Sequence, residues 1–148
     1  MKYFEDYVVG DYVQGGSYMV TKDEIVAFAR EYDPQPFHID EEAAKASVFG
    51  GLTASGFHTV AIQGKLIHAL PDKGAVIAGL GWDEVRFANP VHVGDTLTLH
   101  LVCIETRPST SKPDRGVVRS SITLRNQRGE DVLTSIHSIL VKRRDTAS

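Results

Sequence analysis

The sequence predicts an α+β domain in which a curved antiparallel sheet wraps around one long central helix. Three observations carry that expectation. The stretch from Ser55 to Leu70 is apolar on most sides through Phe57, Val60, Ala61, Ile62, Leu66, Ile67 and Leu70, and Pro71 bounds it; a helix hydrophobic nearly all round is expected to be buried. Beyond it the period changes, because Leu97, Leu99, Leu101 and Cys103 alternate with Thr96, Thr98 and His100, the two-residue repeat of a half-buried strand. Helical signals come first and strand signals afterwards, the order of a helix layer against one antiparallel sheet.

The elements follow in order. Thr21 stands three residues before Glu24, the spacing of a capping box. Ile25, Phe28, Ala29 and Tyr32 then recur at i, i+3, i+4 and i+7 as one apolar face, and Pro34 ends that helix. Asp33-Pro34-Gln35-Pro36-Phe37-His38 reads as a loop. Asp40 caps a short helix beginning with Glu41 and Glu42, whose charge suits the positive helix end, and Gly50-Gly51 closes it. After the central helix, Ala75 to Gly81, Glu84 to Ala88, Leu97 to Cys103, Val117 to Arg125 and Val132 to Lys142 read as strands. Asn126-Gln127-Arg128-Gly129 is a hairpin turn, and the polar run from Arg107 to Arg115 is a loop between strands.

Composition excludes several classes. With 148 residues, 42% hydrophobic and 24% charged, the chain is expected to form one domain, 1–148, that needs neither disulfide nor structural metal. The single cysteine, Cys103, lies among apolar neighbours in an alternating strand and reads as a buried, inert thiol, so a reducing cytoplasm is the expected location. Met1 to Asp6 shows no export signal, and no apolar run approaches the roughly 20 residues of a membrane span. A net charge of −3, with only Lys142-Arg143-Arg144 as a basic cluster, argues against a nucleic-acid partner. His58, His68, His92, His100 and His137 have no spacing that assembles metal ligands and are expected to be satisfied structural histidines, His58 being the one close enough to Gly56 to touch a ligand.

Chemistry concentrates at Asp33 and His38. Pro34 and Pro36 fix φ at their own positions and push Asp33 and Gln35 toward extended geometry, so the loop is stiff and holds a carboxylate and an imidazole in a set relation. Such a pair can hold one water and exchange its proton; the alternative is that Asp33 caps a turn and His38 is a surface residue. Gly56 opens the buried helix, where backbone N–H groups lack internal acceptors and an oxyanion would be stabilised; its other reading is relief of crowding between helix and sheet.

The stretch from Phe28 to Asp40 resembles the hydratase signature of the MaoC-like dehydratases, the (R)-specific enoyl-CoA hydratases of the hot-dog fold. Asp33, Pro36, Phe37 and His38 match it at its own spacing, while Gln35 stands where the family usually has Asn and Tyr32 where Gly is common. Phe49 to Thr59 is similar to the segment that opens the family's central helix, and Val85 to Leu97 to its strand, turn and strand around a Pro and a Gly-Asp. The resemblance implies a hydro-lyase that reversibly hydrates a trans-2-enoyl thioester, an enoyl-CoA, to the (R)-3-hydroxyacyl thioester. It implies Asp33 and His38 as the pair that activates water and the N–H of Gly56 as the donor to the thioester carbonyl oxygen. No metal or redox cofactor is expected, since the thioester itself is the electron sink. Lys112 and Arg115, in the polar loop, are expected to meet the phosphates of the coenzyme A moiety. A hot-dog acyl-CoA thioesterase and a noncatalytic acyl-thioester binding subunit are the alternatives, separable by whether the product is free thiol, hydroxyacyl thioester or neither. Because a sheet around one helix leaves an unpaired strand edge, at least a homodimer is expected.

Overall fold

The structure is a computed structural model that describes residues 1–145. After a 3₁₀ turn at Phe4–Asp6 come β1 (Tyr12–Met19), α1 (Lys22–Tyr32), α2 (Pro36–Ile39), α3 (Glu41–Ala46), α4 (Gly56–His68), β2 (Val76–Arg86), β3 (Thr96–Pro108), β4 (Arg115–Arg125) and β5 (Asp131–Lys142). The strands form one antiparallel sheet in the order β1-β3-β4-β5-β2, with β1 and β2 at its edges. This is the α+β, hot-dog arrangement expected from the sequence.

One apolar core joins α4 to the sheet: Ile62 and Leu66 of the helix pack in the same cluster as Leu97, Leu99, Ile122, Leu124 and Leu133 of the central strands. At roughly 25 cal/mol per Å² of apolar surface removed from water, burial of this layer is the main force seating the helix. The expectation of a helix buried all round is corrected, because α4 is covered by the sheet on one side only. Phe57 is 68% exposed, and Ala61, Lys65 and His68 also face outward.

Local chemistry explains the element ends. The capping box forms as read, with Glu24 N donating to Thr21 Oγ1 at 3.3 Å and Thr21 N donating to Glu24 Oε1 at 2.7 Å. Asp40 caps α3 by accepting from the backbone N–H groups of Glu42 and Ala43. The turn at Asn126 is closed by Asn126 Oδ1, which accepts from Arg128 N and Glu130 N, with Gly129 at φ 79°.

Three readings are corrected, and one strand is added. The segment after Asp33 is not all loop: Pro36 takes the first position of a four-residue helix, where its fixed φ fits and its missing N–H costs nothing. The two strands expected at 75–88 are one, β2, kinked where its register against β5 shifts between Gly79 and Gly81 and again between Asp83 and Arg86. β3 runs on to Pro108 and β4 begins at Arg115, so both ends of the expected loop are strand. Strand β1 has no clear sequence signal because Gly15-Gly16 interrupts its alternation. A Cβ on Gly15 would stand 2.9 Å from Leu99 Cδ2, so glycine lets this edge strand cross the core closely. Among the described residues no helix is long and apolar enough to cross a membrane.

Candidate active site

Asp33 is the residue on which α1 ends. Its backbone N–H donates to Ala29 O at 2.8 Å, and Pro34 forbids another helical turn. The chain then turns through α2, which carries His38 inward until only 7% of it is exposed. Phe37 and Phe49 wall this turn, with the Phe37 ring edge-on to His38 at 4.5 Å.

The extended segment before α4 comes from the opposite direction. Ala54 N donates to Val91 O, and Thr53 pairs with His92, so residues 53–54 are fixed against the turn that leads to β3. That placement brings Thr53 O to 2.6 Å from His38 Nδ1. A carbonyl oxygen only accepts, so Nδ1 carries the hydrogen and the lone pair of the neutral ring lies on Nε2. Nε2 stands 3.5 Å from Asp33 Oδ2, too long for a direct hydrogen bond and short enough for both to hold one water or substrate hydroxyl.

Ser55 joins the two parts. It is the N-cap of α4, accepting from Phe57 N, and its Oγ donates to Asp33 Oδ2 at 2.7 Å. The sequence marked Ser55 only as a helix start; its signal, a serine directly before the glycine of a helix N-terminus, gives no hint of a carboxylate 22 positions earlier. Gly56 is the first residue of α4, where the N–H has no acceptor within the helix. A Cβ there would lie 2.7 Å from Phe87 Cζ, so the crowding reading is true as well: glycine lets the Phe87 ring close over the helix start. Asp33, His38 and Gly56 all line one cleft of about 560 Å³, whose other walls include Phe49, Phe87, Val91 and Val132. An imidazole base, a hydrogen-bonded carboxylate and a helix N-terminus converge there on a largely apolar space, a set suited to moving protons beside a carbonyl whose oxygen gains charge.

Residues 8–125 match the family described as MaoC like domain. The chain belongs to the MaoC-like dehydratase family. It thereby falls among hydratases and dehydratases. This family member is 32% identical over 140 residues to the protein YdeM of Bacillus subtilis (strain 168), covering 94% of this chain and 98% of that one. It is 42% identical to the MaoC-like dehydratase from Rhodospirillum rubrum, whose crystal structure superimposes with a TM-score of 0.88 over 96% of this chain and 97% of that one. The (R)-hydratase PhaJ1 from Pseudomonas aeruginosa, in its unliganded form, is 25% identical with a TM-score of 0.77, over 96% and 86% of the two chains.

The fold does not bring every expected residue to the cleft. Arg115 lies opposite Lys142, the last residue of β5, while Val132, which lines the cleft, is near the start of that strand. At about 3.3 Å per residue the two ends are roughly 30 Å apart, so Lys112 and Arg115 do not reach the cleft within one chain. Arg115 is instead held by Asp114 at 2.8 and 3.2 Å. His58 is not a satisfied histidine: it is buried and stacked on Phe28 at 4.7 Å, and its Nδ1 has no hydrogen-bond partner among the described residues. Burial pushes its pKa down, with Glu24 pulling weakly the other way. Cys103 is buried as expected, and desolvation pushes its thiol pKa up.

Proposed function

We propose that the chain reversibly hydrates a trans-2-enoyl thioester, an enoyl-CoA, to the (R)-3-hydroxyacyl thioester. The observation that carries this is the 3.5 Å gap between His38 Nε2 and Asp33 Oδ2 in an apolar cleft beside the N–H of Gly56. Water held in the gap loses a proton to Nε2 as its oxygen bonds to C3. The C2–C3 π pair moves toward C1, and the charge gathering on the thioester oxygen is taken by the Gly56 N–H, an interaction of the kind worth about 3 kcal/mol or more. The enolate then collapses and C2 accepts a proton from the same pair; dehydration is the reverse. The thioester is its own electron sink, so the scheme uses no metal or redox cofactor. Likeness to an (R)-hydratase supports the stereochemistry.

The test is a panel of trans-2-enoyl thioesters followed by loss of conjugated absorbance, with chiral analysis of the product. Hydration to the (R)-alcohol is expected. Release of free thiol without hydration would favour the thioesterase, and no turnover with retained binding would favour the noncatalytic subunit.

The active form is a homodimer or larger homo-oligomer. The support is β2, an edge strand paired among the described residues only with β5, which leaves Val76, Ile77, Leu80 and Trp82 exposed. Sedimentation is expected to show at least a dimer at micromolar concentration; a 16.2 kDa species throughout would refute it.

A further inference from the structure

One polar pair sits where the core should be apolar. On the sheet-facing side of α4, Gln63 is completely buried, on the same helix as Ile62 and Leu66 of the core cluster. Its Nε2 donates to the equally buried Ser135 of β5 at 3.3 Å, and its Oε1 has no partner among the described residues. A buried amide left half satisfied costs free energy that leucine or methionine of similar volume would not. A core alone gives no reason for glutamine.

The place of the pair supplies one. Gln63 follows Thr59 by one helical turn, and Ser135 follows Val132 by three residues along β5; Thr59 and Val132 both line the Asp33–His38 cleft. Neither Gln63 nor Ser135 lines the cleft itself, but each lies a short step along its own element from a residue that does. With 1.5 Å of rise per residue, Gln63 stands about 10 Å along the helix from Gly56. That is the length of a medium acyl chain, so one with its carbonyl at Gly56 would reach Gln63 by running along α4.

Resting on the hydration reading, we infer that Gln63 and Ser135 form a polar subsite at the inner end of the acyl cleft that selects an acyl group of medium length ending in a hydroxyl. The amide can face the ligand with either its oxygen or its nitrogen while Ser135 satisfies the other, because the serine hydroxyl both donates and accepts. A terminal hydroxyl also does both and so completes either arrangement. A terminal carboxylate fits poorly, since among the described residues no lysine or arginine lines the cleft and Asp33 already does. A terminal methyl leaves the amide unpaired.

The experiment compares kcat/KM for two trans-2-enoyl-CoA substrates of equal medium length, one ending in methyl and one in hydroxyl, in the wild type and in Gln63→Leu with Ser135→Ala. Removing both polar partners together avoids leaving either unpaired, so the double variant is expected to fold. The wild type is expected to favour the hydroxyl substrate by about tenfold or more, and the double variant to favour the methyl one. Should the double variant not fold, Gln63→Met alone is read on the same ratio. Equal use of both substrates by the wild type, or a ratio unmoved in the variants, overturns the inference and leaves an ordered water as the partner of Gln63. Hydration of neither substrate, nor of any other enoyl thioester, overturns the hydration reading and this inference with it.

Discussion

Two carboxylates in this protein are fixed by hydrogen bonds and yet stand in different surroundings. Asp95, in the turn before β3, has a side chain only 4% exposed. It accepts from His92 N at 2.9 Å, from Gln127 Nε2 at 2.9 Å and from Arg128 Nη1 at 3.2 Å. Burial alone would raise its pKa, but those bonds together outweigh burial and hold it below the ordinary carboxylate range. Asp33 is 23% exposed and has one close partner, the Ser55 hydroxyl, with the lone pair of His38 standing off at 3.5 Å. A carboxylate saturated by charge-assisted bonds is an anchor that ties the β4–β5 turn to the start of β3. One that keeps an open side toward His38 and the cleft is left accessible to a ligand, as the proposed role of Asp33 requires.

The sharpest break of that contrast is expected from Asp33→Asn and His38→Gln, each lowering kcat by about 100-fold or more with little change in Tm. Their double variant should lose far less than the product of the single losses, because both act on one water. Near-normal hydration by a folded single variant would make Asp33 an anchor like Asp95.

Asp95→Asn should do the reverse, lowering stability by about 2 kcal/mol through loss of its charge-assisted bonds while kcat stays within a few-fold of wild type. Calorimetry with steady-state kinetics reads both. Because the Asp95 pKa is lowered on folding, its contribution is complete above the unfolded value of 3.8 and is lost as pH falls through the folded value. Melting followed from pH 6 to 3 should therefore fall less steeply in Asp95→Asn than in the wild type.

Ser55→Ala is intermediate, since Ser55 serves both purposes. Loss of the N-cap should cost about 1 kcal/mol of stability, and loss of the bond that orients Asp33 should lower kcat by about tenfold. Ser55→Thr should recover both. The smallest effect is expected from Lys112→Ala with Arg115→Ala, a change of KM within about twofold for coenzyme A and short-thiol substrates alike. A rise confined to the coenzyme A substrate would place this loop at the cleft of a neighbouring copy.

Much of the fold is legible in the chain because its signals are local. The Thr21–Glu24 capping box, the Asp40 cap, the Asn126 turn and the alternation through Leu97, Leu99 and Leu101 each rest on neighbours within a few positions. Strand β1 and the continuity of β2 are not legible, because edge strands with bulges lack a buried face to enforce alternation.

The sequence by itself singled out Asp33, His38 and Gly56 as candidates for the site. Two prolines stiffen the chain between Asp33 and His38, and Gly56 begins an apolar helix whatever lies around it. Only tertiary structure decided their protonation geometry and company. The Thr53 carbonyl fixes the hydrogen of His38 on Nδ1, Ser55 reaches back to Asp33, and Gln63 meets Ser135 across 72 positions, while Lys112 and Arg115 go to the far end of the sheet. The physical reason is that caps and turns are set by backbone groups a few residues apart, whereas these contacts depend on how α4 settles on the sheet, and burial summed over the whole core sets that position.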